Sequence, residues 1–300
     1  MTASSENLTE LLESTIAAER LPVNFTKTVE RFYMPLVDHL AAVHLGHINV
    51  PLVVGINGGQ GSGKSTLAMF LRLVLDKVHG LNTAVLSLDD LYLTRAERIG
   101  LAKSHHRLLA TRGVPGTHDV GLGMRLLDQL ASKGDEGVRV PCFDKARDDR
   151  SPEDEWTAVT GSVDIILLEG WCVGARPQAA EALGAPVNQL ERDEDTDGIW
   201  RGYVNAQLAG PYAALFARLD HLVMLKVPNF ECVETFRSLQ EAKLRGKIVD
   251  GAGLMDDAAI KHFIMHYERL TRHMLAEMPD RADVVMELDE AHSITAMRFR

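Results

Sequence analysis

The sequence predicts an α/β protein built on a doubly wound, mostly parallel sheet, and two observations carry that expectation. Short aliphatic and β-branched runs alternate along the chain with longer segments whose apolar residues recur every three or four positions. The runs, VDIILLE above all, are apolar without a polar alternate, as expected of strands that helices cover on both faces. The chain opens with helical patterns, in which Phe25, Val29, Phe32, Tyr33, Leu36, Val37 and Leu40 form one stripe. Strands are then expected at Leu52 to Ile56, Thr83 to Leu88, Val163 to Leu168, Leu222 to Val227 and Val284 to Leu288, the last closing the sheet. Between them fall helices at Lys64 to Val78, Val120 to Leu130, Trp200 to Arg218 and Glu231 to Leu244. A further helix carries Ile260, Phe263, Ile264, Tyr267, Leu270 and Met274 on one face. No repeat or low-complexity linker divides the chain, so a helical extension over 1–46 and a single domain over 47–300 are expected.

At 300 residues, 46% apolar and 25% charged, the chain has ample material for a hydrophobic core. Its 32 basic and 42 acidic residues leave a net charge of −10, which argues against nucleic acid or an anionic membrane as the main partner. Cys142, Cys172 and Cys232 form no CxxC pair, so neither a zinc knuckle nor a disulfide framework is indicated. No apolar run approaches the ~18 residues of a membrane helix, and the acidic start MTASSENLTELLES lacks a signal-peptide pattern. A cytoplasmic protein is expected.

The most specific signal is GGQGSGKST, Gly58 to Thr66, which satisfies the phosphate-binding pattern G-x-x-x-x-G-K-[ST]. A buried strand, PLVVGIN, runs into it and an amphipathic helix, LAMFLRLVLDKV, runs out. Gly58, Gly61 and Gly63 let the backbone wrap phosphate oxygens, with N–H groups and the helix N-terminus aimed at the anion. Lys64 supplies charge to the β- and γ-phosphates, Ser65 is placed to ligate Mg²⁺, and Thr66 completes the loop. ATP and Mg²⁺ are the expected cofactors in a P-loop fold.

The next strand ends in SLDDLYL, which sets Asp89 and Asp90 at its carboxyl end, expected beside the P-loop strand. One of the two can accept a proton from an attacking hydroxyl while the other holds metal-bound water or orients a neighbour. The residues alone do not choose between them. VDIILLEGW ends in Glu169, where a Walker B acid reaches the Mg²⁺ sphere.

These three elements resemble the uridine kinase, phosphoribulokinase and pantothenate kinase group of P-loop kinases, and within it the D-glycerate 3-kinase family. The closer likeness rests on SLDDLYL, RGVPGTHD (Arg112 to Asp119), VPCFDKARDDR (Val140 to Arg150), EGWCVGARP (Glu169 to Pro177) and QEAKLRGKIVDGAGLMDD (Gln240 to Asp257), over roughly residues 50–290. The resemblance implies a P-loop kinase with Asp89 as general base and Glu169 as the Mg²⁺-associated acid. It places Tyr92, His118 and Asp119 on segments that line the acceptor pocket, although Asp119 also reads as a helix N-cap. The chain departs from the plant-type pattern between Arg147 and Pro152, carrying charge where glycine, serine and an aromatic are expected.

Between Tyr92 and Gly113 five basic residues, Arg95, Arg98, Lys103, Arg107 and Arg112, face one acid, Glu97. Arg95 and Arg98 read individually as a solvated helical face. Arg112 and Lys145, lying in the segments that carry the resemblance, are the candidates to grip a small anionic acceptor such as glycerate. A second basic cluster, Arg237, Lys243, Arg245 and Lys247, with Gly246, Gly251 and Gly253, reads as a lid over the triphosphate, Arg245 included among the nucleotide contacts. Alternative readings are a related kinase of a nucleoside, sugar phosphate or pantothenate, and a regulatory P-loop ATPase; the oligomeric state is open.

Overall fold

A computed structural model describes residues 2–132, 137–245 and 257–300, with side chains from 8 to 239 and from 259 onward within those spans. Its centre is a six-stranded sheet of β1 (Leu52–Gly58), β2 (Thr83–Ser87), β3 (Ile165–Gly170), β4 (His221–Lys226), β5 (Val284–Leu288) and β6 (Ile294–Phe299). The spatial order is β6-β5-β4-β1-β3-β2, and every pairing is parallel except β5 with β6. Two sequence expectations change here. The strand carrying Asp89 does not adjoin the P-loop strand, because β3 lies between them, with Leu52 opposite Ile165 and Thr83 opposite the same residue on its other side. Nor does β5 close the sheet: β6 is added antiparallel at the edge, and its mostly exposed residues give no hydrophobic run for a sequence reading to find.

Every residue of β1 and β3 is buried. Leu52, Val54 and Ile56 enter one core layer while Val53 enters the opposite one, so the two-residue period of a strand fills both sides with aliphatic groups. The first layer holds α1 (Thr2–Ala18), α2 (Met34–His44) and α3 (Lys64–His79); Val29, Phe32, Leu36, Val37 and Leu40 of the expected N-terminal stripe pack with Phe70 and Leu71 of α3. The second holds α5 (Val120–Ala131), α7 (Ile199–Ala209) and α8 (Pro211–Phe216). The helix expected from Trp200 to Arg218 is thus two helices, broken where Pro211, lacking an amide hydrogen, starts a new one after Gly210.

The remaining elements frame the carboxyl ends of the strands: α4 (Arg95–Ser104), α6 (Gln189–Glu194), α9 (Phe230–Arg245) and α10 (Asp257–Glu277). Between α5 and β3 the chain forms two short antiparallel ribbons, Val138–Val140 with Thr157–Val159 and Phe143–Asp144 with Asp149–Arg150. The second ribbon carries the charged turn 145–148 to the mouth of the sheet.

Candidate active site

The P-loop leaves β1 and enters α3 through Gly61 (φ +75°) and Gly63 (φ +96°), in the left-handed region that side chains disfavour. A Cβ on Gly58 would lie 2.5 Å from the Ser62 hydroxyl, so the strand must end in glycine for the loop to fold back on it. Buried Asn57 donates to the carbonyls of Trp171 (3.0 Å) and Val173 (2.9 Å), tying the start of the loop to the segment after β3. Lys64 donates to the Gly59 carbonyl across the loop at 3.0 Å. Desolvation lowers the Lys64 pKa, opposed by the charges of Glu169 and Asp89.

The carboxylate of Glu169, at the end of β3, accepts from the Ser65 and Ser87 hydroxyls at 2.9 Å each. It therefore joins the first turn of α3 to the end of β2. This cluster of hard oxygen atoms suits Mg²⁺. Among the described residues no group of three or more His, Cys, Asp or Glu side chains could hold a metal ion alone.

Beside this cluster Asp89 accepts from Tyr92 Oη at 2.7 Å and pairs with Lys145 Nζ at 2.8 Å. Burial acts to raise the Asp89 pKa, but the Lys145 charge, the hydrogen bonds from Lys145 and Tyr92, and Lys64 outweigh it and hold the group well below the carboxylate range. Asp90 turns the other way and accepts from the Phe143 amide at 3.0 Å. Burial raises its pKa to about 6, and the negative charge of Asp89 adds to the rise. Two adjacent identical residues thus have opposite electrostatics: one is locked ionised toward the cleft, the other is biased toward its protonated form away from it.

One cleft of about 340 Å³ is lined by Gly61, Gly63, Lys64, Ser65, Thr66, Asp89, Tyr92, Arg112, Lys145 and Glu169. The other expected site residues stand behind it. His118 is buried, stacks on the Tyr92 ring at 4.6 Å, and shares a 2.6 Å hydrogen bond with Tyr212 Oη; burial lowers its pKa to about 3, so it is neutral at physiological pH. It supports the tyrosine that touches Asp89. Asp119 caps α5 by accepting from the Leu122 amide at 2.8 Å and meets Arg150 at 3.4 Å. Gly58 and Asp90 shape the loop and the ribbon without lining the cleft. Of the lid cluster, Arg237 lines the cleft, while Lys247 lies outside the described residues, as do the side chains of Lys243 and Arg245.

The sequence pattern does not assign Trp171, Phe236, Phe263 or Tyr267 to the site, yet all four also line the cleft. Trp171 follows Glu169 by two residues and was within reach of the strand-end signal. Its indole donates to the Gly113 carbonyl at 2.7 Å, while Tyr267 Oη donates to the Arg112 carbonyl at 3.1 Å. Both clamp the backbone that carries Arg112, and the close fit needs glycine at 113 (φ +131°), where a Cβ would sit 1.9 Å from Tyr267 Oη. The spacing of its helix places Tyr267 in the core stripe, and it does pack there, while its hydroxyl reaches out of that stripe to the Arg112 carbonyl.

A phosphate-binding loop, a hydroxyl-linked strand-end acid and a charge-held aspartate in one cleft of a parallel sheet define a P-loop kinase. No protein-family model matches the chain. It is 35% identical over 226 residues to "Uncharacterized kinase mug58" of Schizosaccharomyces pombe, covering 72% of this chain and 78% of that one. It is 32% identical over 225 residues to "D-glycerate 3-kinase, chloroplastic" of Arabidopsis thaliana, covering 72% of this chain and 46% of the plant protein. The solved D-glycerate 3-kinase of Cryptococcus neoformans superposes with a TM-score of 0.74 at 27% identity, over 91% of this chain and 99% of that one. The chain belongs to the same family as the mug58 kinase, is similar over much of its length to D-glycerate 3-kinases, and is an ATP-dependent small-molecule kinase.

Proposed function

We propose that the protein transfers the γ-phosphoryl group of ATP, with Mg²⁺, to a hydroxyl of D-glycerate, giving 3-phosphoglycerate. The observation that carries this reading is the presence, in the P-loop cleft, of an ionised carboxylate, Asp89, together with the guanidinium of Arg112, whose backbone is clamped by Tyr267. Such a pair suits a substrate with a hydroxyl at one end and a carboxylate at the other. The relatives named as D-glycerate 3-kinases support it. When bound, Mg²⁺ neutralises charge on the nucleotide's β- and γ-oxygens; Ser65 and Glu169 are the residues to hold it. The Walker A amides and Lys64 cradle the phosphates, with Arg237 adding charge from the side and Arg245 assigned to the lid.

Asp89 accepts a hydrogen bond from the acceptor hydroxyl and, late in the transfer, its proton. A carboxylate held so strongly ionised is a weak base, which suits a loose transition state where orientation of the hydroxyl matters more than early proton removal. The hydroxyl must share or displace Lys145, which occupies one Asp89 oxygen. Residues 1–46 act as an extension of the kinase domain over 47–300; Leu21 reaches the lining of the cleft from that side. Among the described residues no helix is long and apolar enough to cross a membrane. A cytoplasmic location is part of this reading, although the Arabidopsis relative is named as chloroplastic.

The test is ADP release measured with no acceptor and with D-glycerate, pantothenate, uridine and a sugar phosphate in turn. Release that depends on D-glycerate and outpaces the others supports the proposal. Preference for another acceptor overturns the substrate assignment, and acceptor-independent release favours a regulatory ATPase.

A further inference from the structure

Arg98 is 1% exposed, although it belongs to a short surface helix whose neighbouring Ile99 is 41% exposed. Burying a guanidinium at that depth is costly unless it is fully paired. Its partners account for the cost. Arg98 donates to the carbonyls of Leu93 (3.2 Å), Ala110 (2.9 Å) and Asp148 (2.6 Å), and pairs at 2.9 Å with Oδ2 of Asp148. The other oxygen, Oδ1, accepts from Arg112 Nη1. Asp148 is held at φ +53°, a conformation unusual for a residue with a side chain, at the turn of the ribbon that also brings Lys145 to Asp89. Both guanidiniums lie over the Phe143 ring, at 5.9 Å and 5.6 Å from its centre.

The geometry points to Asp148 as a positioning residue that aims Arg112 at the acceptor's carboxylate, with Arg98 as its buried anchor; this rests on the proposed glycerate reading. Two guanidiniums share one carboxylate, so the cluster keeps one positive charge facing the cleft. Because Arg98 holds Asp148 by backbone and side chain together, the carboxylate stays in place when an anion arrives, and Arg112 presents its remaining donors to it. Charge and direction are thereby set by residues that need not touch the substrate.

The test is steady-state kinetics of the full chain carrying Asp148→Asn, with Asp148→Glu and Arg98→Lys alongside. The wild type is assayed first: if it does not phosphorylate D-glycerate, the functional reading fails and this inference with it. With an active wild type, Asp148→Asn is expected to raise the KM for D-glycerate about tenfold or more, the order of a weakened charge-assisted contact. The KM for ATP should stay within about twofold, and Asp148→Glu, which keeps the charge, should recover most of the loss. Arg98→Lys should move the same KM in the same direction. An unchanged KM for D-glycerate in Asp148→Asn, or a rise in both KM values together with a lower melting temperature, overturns the positioning role and leaves the glycerate reading standing. Asp148 is partly exposed on a turn, so its variants remain informative even if Arg98→Lys fails to fold.

Discussion

The nucleotide half and the acceptor half of the cleft are built in different ways. The first draws chiefly on one stretch, Gly58 to Thr66, joined by Glu169 and Arg237, and in that stretch backbone amides, glycine conformations and a helix start follow directly from local sequence. The second is assembled from side chains far apart in the chain: Asp89 and Tyr92 after β2, Arg112 before α5, Lys145 and Asp148 on the ribbon, and Tyr267 on α10. Phosphate is a common ligand that backbone can recognise. An individual small acceptor needs side-chain charges set at chosen distances, and only the tertiary fold can bring those together.

The largest expected effect lies where the halves meet. Asp89→Asn keeps shape and the Tyr92 contact but removes the ionised carboxylate, so kcat should fall about 10²- to 10⁴-fold while ATP binding, read by nucleotide titration, persists. If Asp90→Asn is the inactive variant instead, the two aspartates have been assigned the wrong way round. Lys64→Ala tests the nucleotide half alone: phosphoryl transfer should drop about 10²- to 10³-fold with a melting temperature close to wild type. Retained activity would remove the P-loop from the mechanism. Arg112→Met tests the acceptor half alone. Losing a charge-assisted pair costs about 1.5 to 3 kcal/mol, so the D-glycerate KM should rise roughly 10- to 150-fold with the ATP KM nearly unchanged. If both KM values move together, the halves are not separable in the way the geometry indicates.

The smallest effect on turnover is expected at Asp90, which faces neither ligand and is read through stability instead. Its folded pKa, about 6, exceeds the ordinary 3.8, so the native state binds the proton more tightly than the unfolded chain. Its contribution to stability is therefore full below pH 3.8 and is lost as the pH rises to about 6. Asp90→Asn keeps an oxygen for the Phe143 amide and cannot ionise. The difference in unfolding free energy between variant and wild type should grow across that window by up to about 3 kcal/mol and then level off. A difference independent of pH would show that the fold does not raise the Asp90 pKa.

Within the acceptor half, α4 shows why pattern reading fails where charge is functional. The sequence reads Arg98 as part of a solvated helical face, and the structure buries it while leaving its neighbour Ile99 exposed. Arg98 is buried because its carboxylate partner arrives from a turn 50 residues later, and no window of local sequence contains that turn. Asp89 and Asp90 make the same point at closer range, since their difference lies in what each faces, Lys145 or the Phe143 amide.

By itself the sequence determined the α/β alternation, the phosphate loop and the Glu169 strand end, because each is dictated by short-range periodicity, backbone conformation or the polarity of a strand's exit. Tertiary structure alone decided that β3 separates the Asp89 strand from the P-loop strand and that β6 extends the edge. It also decided which of two aspartates has its pKa lowered and which has it raised, and that a buried Arg98 anchors Asp148 beside Arg112. The reason is common to all of these: strand order, desolvation and ion pairing depend on groups that are neighbours in space and strangers in sequence.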